Sequence, residues 1–182
     1  MRRFGVVLAC LAIPLALGVH AATAGAGAGA QRYCGIVWGS RLKSAPDLVP
    51  TPVTGVRLGQ HECYDRMVID LSASPAPGYF VRYTDGVHTP GEGSPIAVSG
   101  GATLTITALA PSYDVDAGTP TVPWSWGTHI ARPAFATFRD VVFAGSFEGE
   151  STFGLGVRAR LPFRVLKLEG PSRLVIDVAH RW

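Results

Sequence analysis

The chain has 182 residues, 47% of them hydrophobic and 16% charged, with 16 Lys plus Arg against 13 Asp plus Glu and a formal net charge of +3. Two of the basic residues, Arg2 and Arg3, precede an apolar run; without them 14 basic residues face 13 acidic ones. A near-neutral chain whose only lysines are Lys43 and Lys167 is a poor match for nucleic acid, because tracking a phosphate backbone needs clustered cations.

In chain order, Arg2 and Arg3, the apolar stretch over 5–19 and the small residues Ala22-Thr23-Ala24 read as a signal peptide over 1–24. The apolar stretch is shorter than the roughly 20 residues of a membrane helix. No later stretch replaces it, so an exported protein without a stable membrane span is expected. Val7-Leu8-Ala9-Cys10 resembles a lipoprotein box and offers lipidation at Cys10 as an alternative. A Gly-Ala tract over 25–30 leads into an arm that ends near residue 52; together they form a flexible tract and N-terminal arm over 25–52, ahead of one domain over 53–182.

Beyond the leader the cysteines are Cys34 and Cys63. In an exported chain such a pair is most simply a disulfide, here pinning the arm with Tyr33 and Trp38. The competing reading is a metal site of His61, Cys63, Asp65 and His180, although the usual paired ligand spacing is missing.

Strands are expected over 53–58, 66–71, 79–83, 96–99, 103–109, 138–144, 151–159, 163–168 and 173–178 from period-two alternation and turn residues. Gly100-Gly101 suggests a tight hairpin between 96–99 and 103–109, and 145–149 should turn the strand before it back on the next. No stretch carries a helical period. The segment 111–137 breaks the rhythm with Trp124-Ser125-Trp126 and several prolines, and reads as a long loop of functional interest.

One heptad occurs twice. Asp65-Arg66-Met67-Val68-Ile69-Asp70-Leu71 returns as Ser172-Arg173-Leu174-Val175-Ile176-Asp177-Val178. Within a strand, Arg66 and Asp70 share a face but lie roughly 13 Å apart at about 3.3 Å per residue. If the copies pair antiparallel, the register that sets Arg66 opposite Asp177 also sets Asp70 opposite Arg173 and Val68 opposite Val175. Arg66, Asp70, Arg173 and Asp177 then act as register-setting structural residues. The alternative places the copies in separate sheets, leaving each arginine to backbone or ligand.

Arg66-Met67-Val68-Ile69-Asp70-Leu71 and Pro171-Ser172-Arg173-Leu174-Val175-Ile176-Asp177-Val178 resemble the two ends of an AMIN domain. With His61-Glu62-Cys63-Tyr64-Asp65-Arg66, Gly78-Tyr79, Phe147-Glu148-Gly149 and Pro162-Phe163-Arg164-Val165, the pattern over about 53–180 is similar to the AMIN-like domain of secreted actinobacterial proteins. The resemblance implies an all-β, small two-sheet β-sandwich with pseudo-twofold related halves, in an envelope protein. AMIN domains usually accompany cell-wall amidases or secretion pores and direct them to peptidoglycan. No catalytic domain follows Trp182 in the sequence, so the module is expected to act alone or with a separate partner.

No His-Glu-x-x-His motif and no Gly-x-Ser-x-Gly elbow appears in the sequence. Glu92, Asp114, Asp116, Glu148 and Glu150 could supply a carboxylate pair for a small hydrolase, and Asp114 with Asp116 is a minimal calcium pattern. The preferred expectation has no catalytic residue, no metal and no cofactor. Trp124, Trp126, Tyr79 and Tyr83 are the candidate ligand-binding residues, with a capping role in the core as the alternative for the tryptophans. A monomer that binds peptidoglycan or another envelope glycan is the first reading. A module recruiting a separate cell-wall hydrolase through protein contact is the second.

Overall fold

The computed structural model describes residues 31–182. The expected leader, the Gly-Ala tract and Cys10 lie outside the described residues. In chain order the strands are β1 (Gln31–Tyr33), β2 (Ile36–Trp38), β3 (Lys43–Ala45), β4 (Val53–Gln60), β5 (Tyr64–Leu71), β6 (Tyr79–Thr84) and β7 (Val87–His88). They continue as β8 (Pro95–Ile96), β9 (Ala102–Ala108), β10 (Thr128–Ala131), β11 (Phe138–Phe147), β12 (Glu150–Val157), β13 (Phe163–Leu168) and β14 (Arg173–Ala179).

A four-stranded sheet runs β13-β14-β5-β4, and a six-stranded sheet runs β10-β11-β12-β9-β6-β3. Period-two alternation decides which side of each strand is buried. Met67, Ile69, Leu71, Leu174, Ile176 and Val178 of the first sheet join Val81, Leu104, Ile106, Val141, Phe143, Phe153 and Leu155 of the second in one core cluster. The fold is an all-β sandwich, and the two copies of the heptad lie side by side at the centre of one sheet.

The arm is built into this sandwich. Cys34 and Cys63 form a disulfide with a sequence separation of 29, a closure that in the chain-entropy model stabilises by about 3 to 4 kcal/mol. Trp38 is buried, its indole N–H donating to the Tyr33 carbonyl at 2.9 Å. The Arg164 guanidinium stacks 5.3 Å from both the Trp38 and the Tyr64 ring centroids. Beyond it, β3 pairs with β6 as the edge of the six-stranded sheet.

Three local expectations are corrected. The residues after β8 do not form a hairpin with β9: β8 pairs with β7 instead, and the 85–99 segment folds as a flap over the outer face of β12. Glycines make room for it. A Cβ on Gly154 would meet Val87 Cγ2 at 2.7 Å, and one on Gly156 would overlap the Ser99 carbonyl oxygen. The buried Asp140 carboxylate fastens the flap, accepting from Ser99 N at 2.9 Å while His129 Nδ1 lies 2.9 Å away.

The 111–137 segment contains a strand, β10, which pairs along β11 with a register irregularity. Four residues, Thr128–Ala131, between Gly127 and Arg132 are too few to reveal alternation. The turn expected over 145–149 is tighter: Glu148 and Gly149, at φ 49° and 83°, form a two-residue loop of the kind that needs positive φ at both positions. Gly145 instead lies within β11 at a register shift.

Candidate functional site

The outer face of the four-stranded sheet carries the duplicated motif as a lattice. β5 and β14 are antiparallel, with Arg66 opposite Asp177, Val68 opposite Val175 and Asp70 opposite Arg173. β4 adds Gly59, Arg57 and Gly55 to these rows, and β13 adds Arg164, Leu166 and Leu168.

The charges do not pair symmetrically on this lattice. Arg66 donates to the fully buried Asp177 through Nε at 2.7 Å and Nη2 at 2.9 Å, and Arg164 Nε donates to the same carboxylate at 2.8 Å. Asp70 is claimed by β4, with Arg57 donating through Nε at 2.7 Å and Nη2 at 2.6 Å. Among the described residues Arg173 donates only to the Pro171 carbonyl, at 3.0 Å through Nε. The hydrogen bond to Asp177 raises the Arg66 pKa, and that to Asp70 raises the Arg57 pKa. Both arginines stay cationic.

The residues of the alternative metal set are engaged elsewhere. Cys63 is in the disulfide, and His61 stacks on Tyr64 with ring centroids 4.6 Å apart. Asp65 accepts from Thr137 N at 2.5 Å and Phe138 N at 2.9 Å, and faces His180 Nε2 at 3.0 Å. The other nitrogen of His180 lies 3.1 Å from the Glu62 carbonyl. This buried cluster ties the end of β14 and the start of β11 to β5.

The structure divides the four candidate aromatics. Tyr79 and Tyr83 alternate with Phe80 and Arg82 and face the inter-sheet core, as β6 alternation requires. Tyr83 meets Phe163 edge to face, with centroids 5.7 Å apart, and its hydroxyl donates to the Leu161 carbonyl at 2.6 Å. Burial pushes its phenol up to about 12. Trp124 packs against the core at 5.9 Å from the Phe143 ring. Trp126, at 45% exposure, is the open one. It lies over Gly145, where a Cβ would come within 2.7 Å of the indole.

Trp124 and Trp126 line one groove of about 410 Å³ together with Tyr113, Pro120 and Phe143. Its rim is held by loop hydrogen bonds. Gly149 N donates to the Tyr113 hydroxyl at 3.1 Å, Thr121 Oγ1 to the Val53 carbonyl at 2.6 Å, and Thr121 N to the Ser112 carbonyl at 3.0 Å. Asp114 serves its own turn. Its carboxylate accepts from Ala117 N and Asp116 N, both at 2.9 Å, and these bonds hold its pKa below the usual value.

A second open surface was not anticipated. Thr103, Thr105 and Thr107 alternate with Leu104, Ile106 and Ala108 along β9 and point away from the core. Beside them on β6, Phe80 and Arg82 also point outward. Leu42, Phe80, Arg82, Thr105, Thr107 and Glu150 line a trough of about 390 Å³. The alternation Thr-Leu-Thr-Ile-Thr was a visible signal for an outward threonine row. That the flap covers the β12 half of this face and leaves the β9 half open was not visible. Of the remaining carboxylates, Glu148 sits in the β11–β12 turn and Glu92 at the tip of the β7–β8 ribbon.

A protein-family model described as AMIN-like domain matches residues 51–180, well over half of the chain. No curated relative and no solved structure matches it.

Proposed function

The chain belongs to the AMIN-like domain family, and on that footing we propose that it is a non-catalytic module of the cell envelope that binds peptidoglycan or a related envelope glycan through the Trp126 groove. Family membership supplies the cell-wall context. The observation that carries the glycan reading is the exposed Trp126 indole beside Tyr113, at the mouth of a groove whose other tryptophan is fixed in the core. A flat aromatic face held over Gly145 offers broad apolar contact to a sugar ring at small cost in side-chain entropy. The Cys34–Cys63 disulfide supports an oxidising, extracytoplasmic location.

Three of the four described histidines have structural roles that support a non-catalytic reading. His129 and His180 each hold a buried carboxylate that fastens loops, and His61 stacks on a tyrosine. The test is retention of the protein on purified peptidoglycan with parallel titration of tryptophan fluorescence. Trp126→Ala should lower retention at least tenfold while leaving thermal unfolding unchanged. Equal retention of the variant and the parent rejects the groove as the site.

A second reading, recruitment of a separate cell-wall hydrolase, is favoured by a different observation: Phe80 and Leu42 are exposed at 42% and 55% along the trough. Co-purification of a hydrolase from native envelope that is lost on Phe80→Ser would establish it. Unchanged co-purification would remove the trough from the interface.

A further inference from the structure

We propose that the outer face of the four-stranded sheet binds a phosphate group, specifically the phosphodiester of a polyol or sugar phosphate polymer. A groove of about 240 Å³ lies there, walled by Arg57, Arg66 and Arg173 and floored by Val68, Val175 and Leu168. It is on the opposite sheet from Trp126, and its phosphate chemistry does not depend on glycan binding in the aromatic groove. The envelope source of the polymer does rest on the family reading.

The broken symmetry of the duplicated motif creates the site. By register alone Arg173 faces Asp70, but Arg57 reaches in from β4 and occupies both oxygens of that carboxylate. Arg173 is left with a single hydrogen bond, from Nε to a backbone carbonyl. A guanidinium carries five N–H donors in a fixed fork. Arg57 and Arg66 each use Nε and Nη2 within the sheet. Among the described residues, Nη1 of both and both terminal nitrogens of Arg173 therefore have no protein partner. Four arginines on this face, including Arg164, oppose two aspartates, Asp70 and Asp177, so the face has a formal excess of two positive charges.

These donors select the ligand. A carboxylate offers two oxygens in one plane and is matched by a single guanidinium fork. Donors on three arginines around a cup suit the tetrahedral acceptors of a phosphate, the other oxyanion that arginine recognises well. The valine and leucine floor suits the carbon skeleton on either side of a phosphodiester, and it limits the water that would otherwise screen the charges.

The experiment is a nitrogen-15 NMR titration of the intact chain, at constant ionic strength, with glycerophosphoglycerol, inorganic phosphate and acetate in separate arms. Saturable shifts at 57–59, 66–68 and 173–175 are expected with glycerophosphoglycerol. Binding should be several-fold weaker with inorganic phosphate, which lacks the carbon skeleton, and no saturation should occur with acetate. Arg173→Ala should weaken binding at least tenfold. Arg173→Gln, which keeps an apolar stem over Val175, should do the same with the fold intact by its amide spectrum. Trp126→Ala should leave the glycerophosphoglycerol shifts and their saturation unchanged.

Equal saturation with acetate, undiminished binding by Arg173→Gln, or the absence of saturable shifts with any phosphate would overturn the proposal. So would a response that disappears with Trp126→Ala. Tighter binding of inorganic phosphate than of the diester would overturn the polymer assignment. Failure to retain peptidoglycan would bear on the aromatic groove alone.

Discussion

The duplicated heptad contains its own control, because Asp70 and Asp177 occupy the same motif position in two environments. Replacing each by alanine separately removes one carboxylate from the same sheet face. Asp177 has no exposed side-chain area and accepts three charge-assisted hydrogen bonds at 2.7 to 2.9 Å from two guanidiniums, each 25% exposed. Its removal leaves two cations facing a cavity; breaking a buried pair in this way costs about 3 to 5 kcal/mol. Rotation of the partly exposed arginines towards solvent brings the expected loss to the lower end, about 3 kcal/mol.

Asp70 is 24% exposed and its partner Arg57 60% exposed, so its removal should cost about 0.2 to 1 kcal/mol. Equilibrium urea unfolding with the disulfide intact gives both numbers from the shift in midpoint, provided the slope is unchanged. Losses equal within about 0.5 kcal/mol, or a larger loss at Asp70, would refute the claim that burial rather than motif position sets the strength of these pairs.

Two further outcomes are expected. Gly156→Ala places a methyl group against the Ser99 carbonyl and 2.9 Å from Val98 Cγ1, an overpacking that should cost about 1 to 3 kcal/mol. It should loosen the flap, measured as faster amide exchange at Ser99, whose N–H donates to Asp140; unchanged exchange there would show that the flap does not depend on the glycine strip. Tyr83, with its phenol pushed up to about 12 by burial, should ionise well above the ordinary phenol range in an absorbance titration. An unfolded tyrosine ionises near 10, so between pH 10 and 12 the folded state holds the proton that the unfolded state has released. Stability therefore falls across that window by about 2 to 3 kcal/mol, and Tyr83→Phe should abolish this component.

Much of the fold was legible because alternation is a local code. Along β5, β9 and β14 each residue's polarity states which way it points, and the repeated heptad offered a self-consistent antiparallel register. The disulfide was legible from the even pair of cysteines. The positions of β8 and β10 were not: they are two and four residues long, too short for a period. Their placement depends on glycines of β12 and on the edge of β11, far away in the chain.

The candidate aromatics show the same division. Tyr79 and Tyr83 were predicted to share a side of β6, and they do, but whether that side faces core or solvent is decided by the sheet packed against it. Trp124 and Trp126 are two residues apart in a loop, and only the seating of one on Phe143 and the other over Gly145 distinguishes a core residue from a surface.

By itself, the sequence determined the class of fold and which residues of a strand share a face, and it offered a complementary antiparallel register for the two motif copies beside the separate-sheet alternative, between which the tertiary structure chose. Only the tertiary structure decided which charges bond. Arg66 keeps Asp177 and shares it with Arg164, whereas Arg57 takes Asp70 from Arg173, because the hairpin partners β4 and β13 place their own guanidiniums on the rows beside β5 and β14. That competition between neighbours has no signature in a heptad read alone. It is why one of the two pairs between the copies, Arg66 with Asp177, forms, while among the described residues Arg173 has no carboxylate partner.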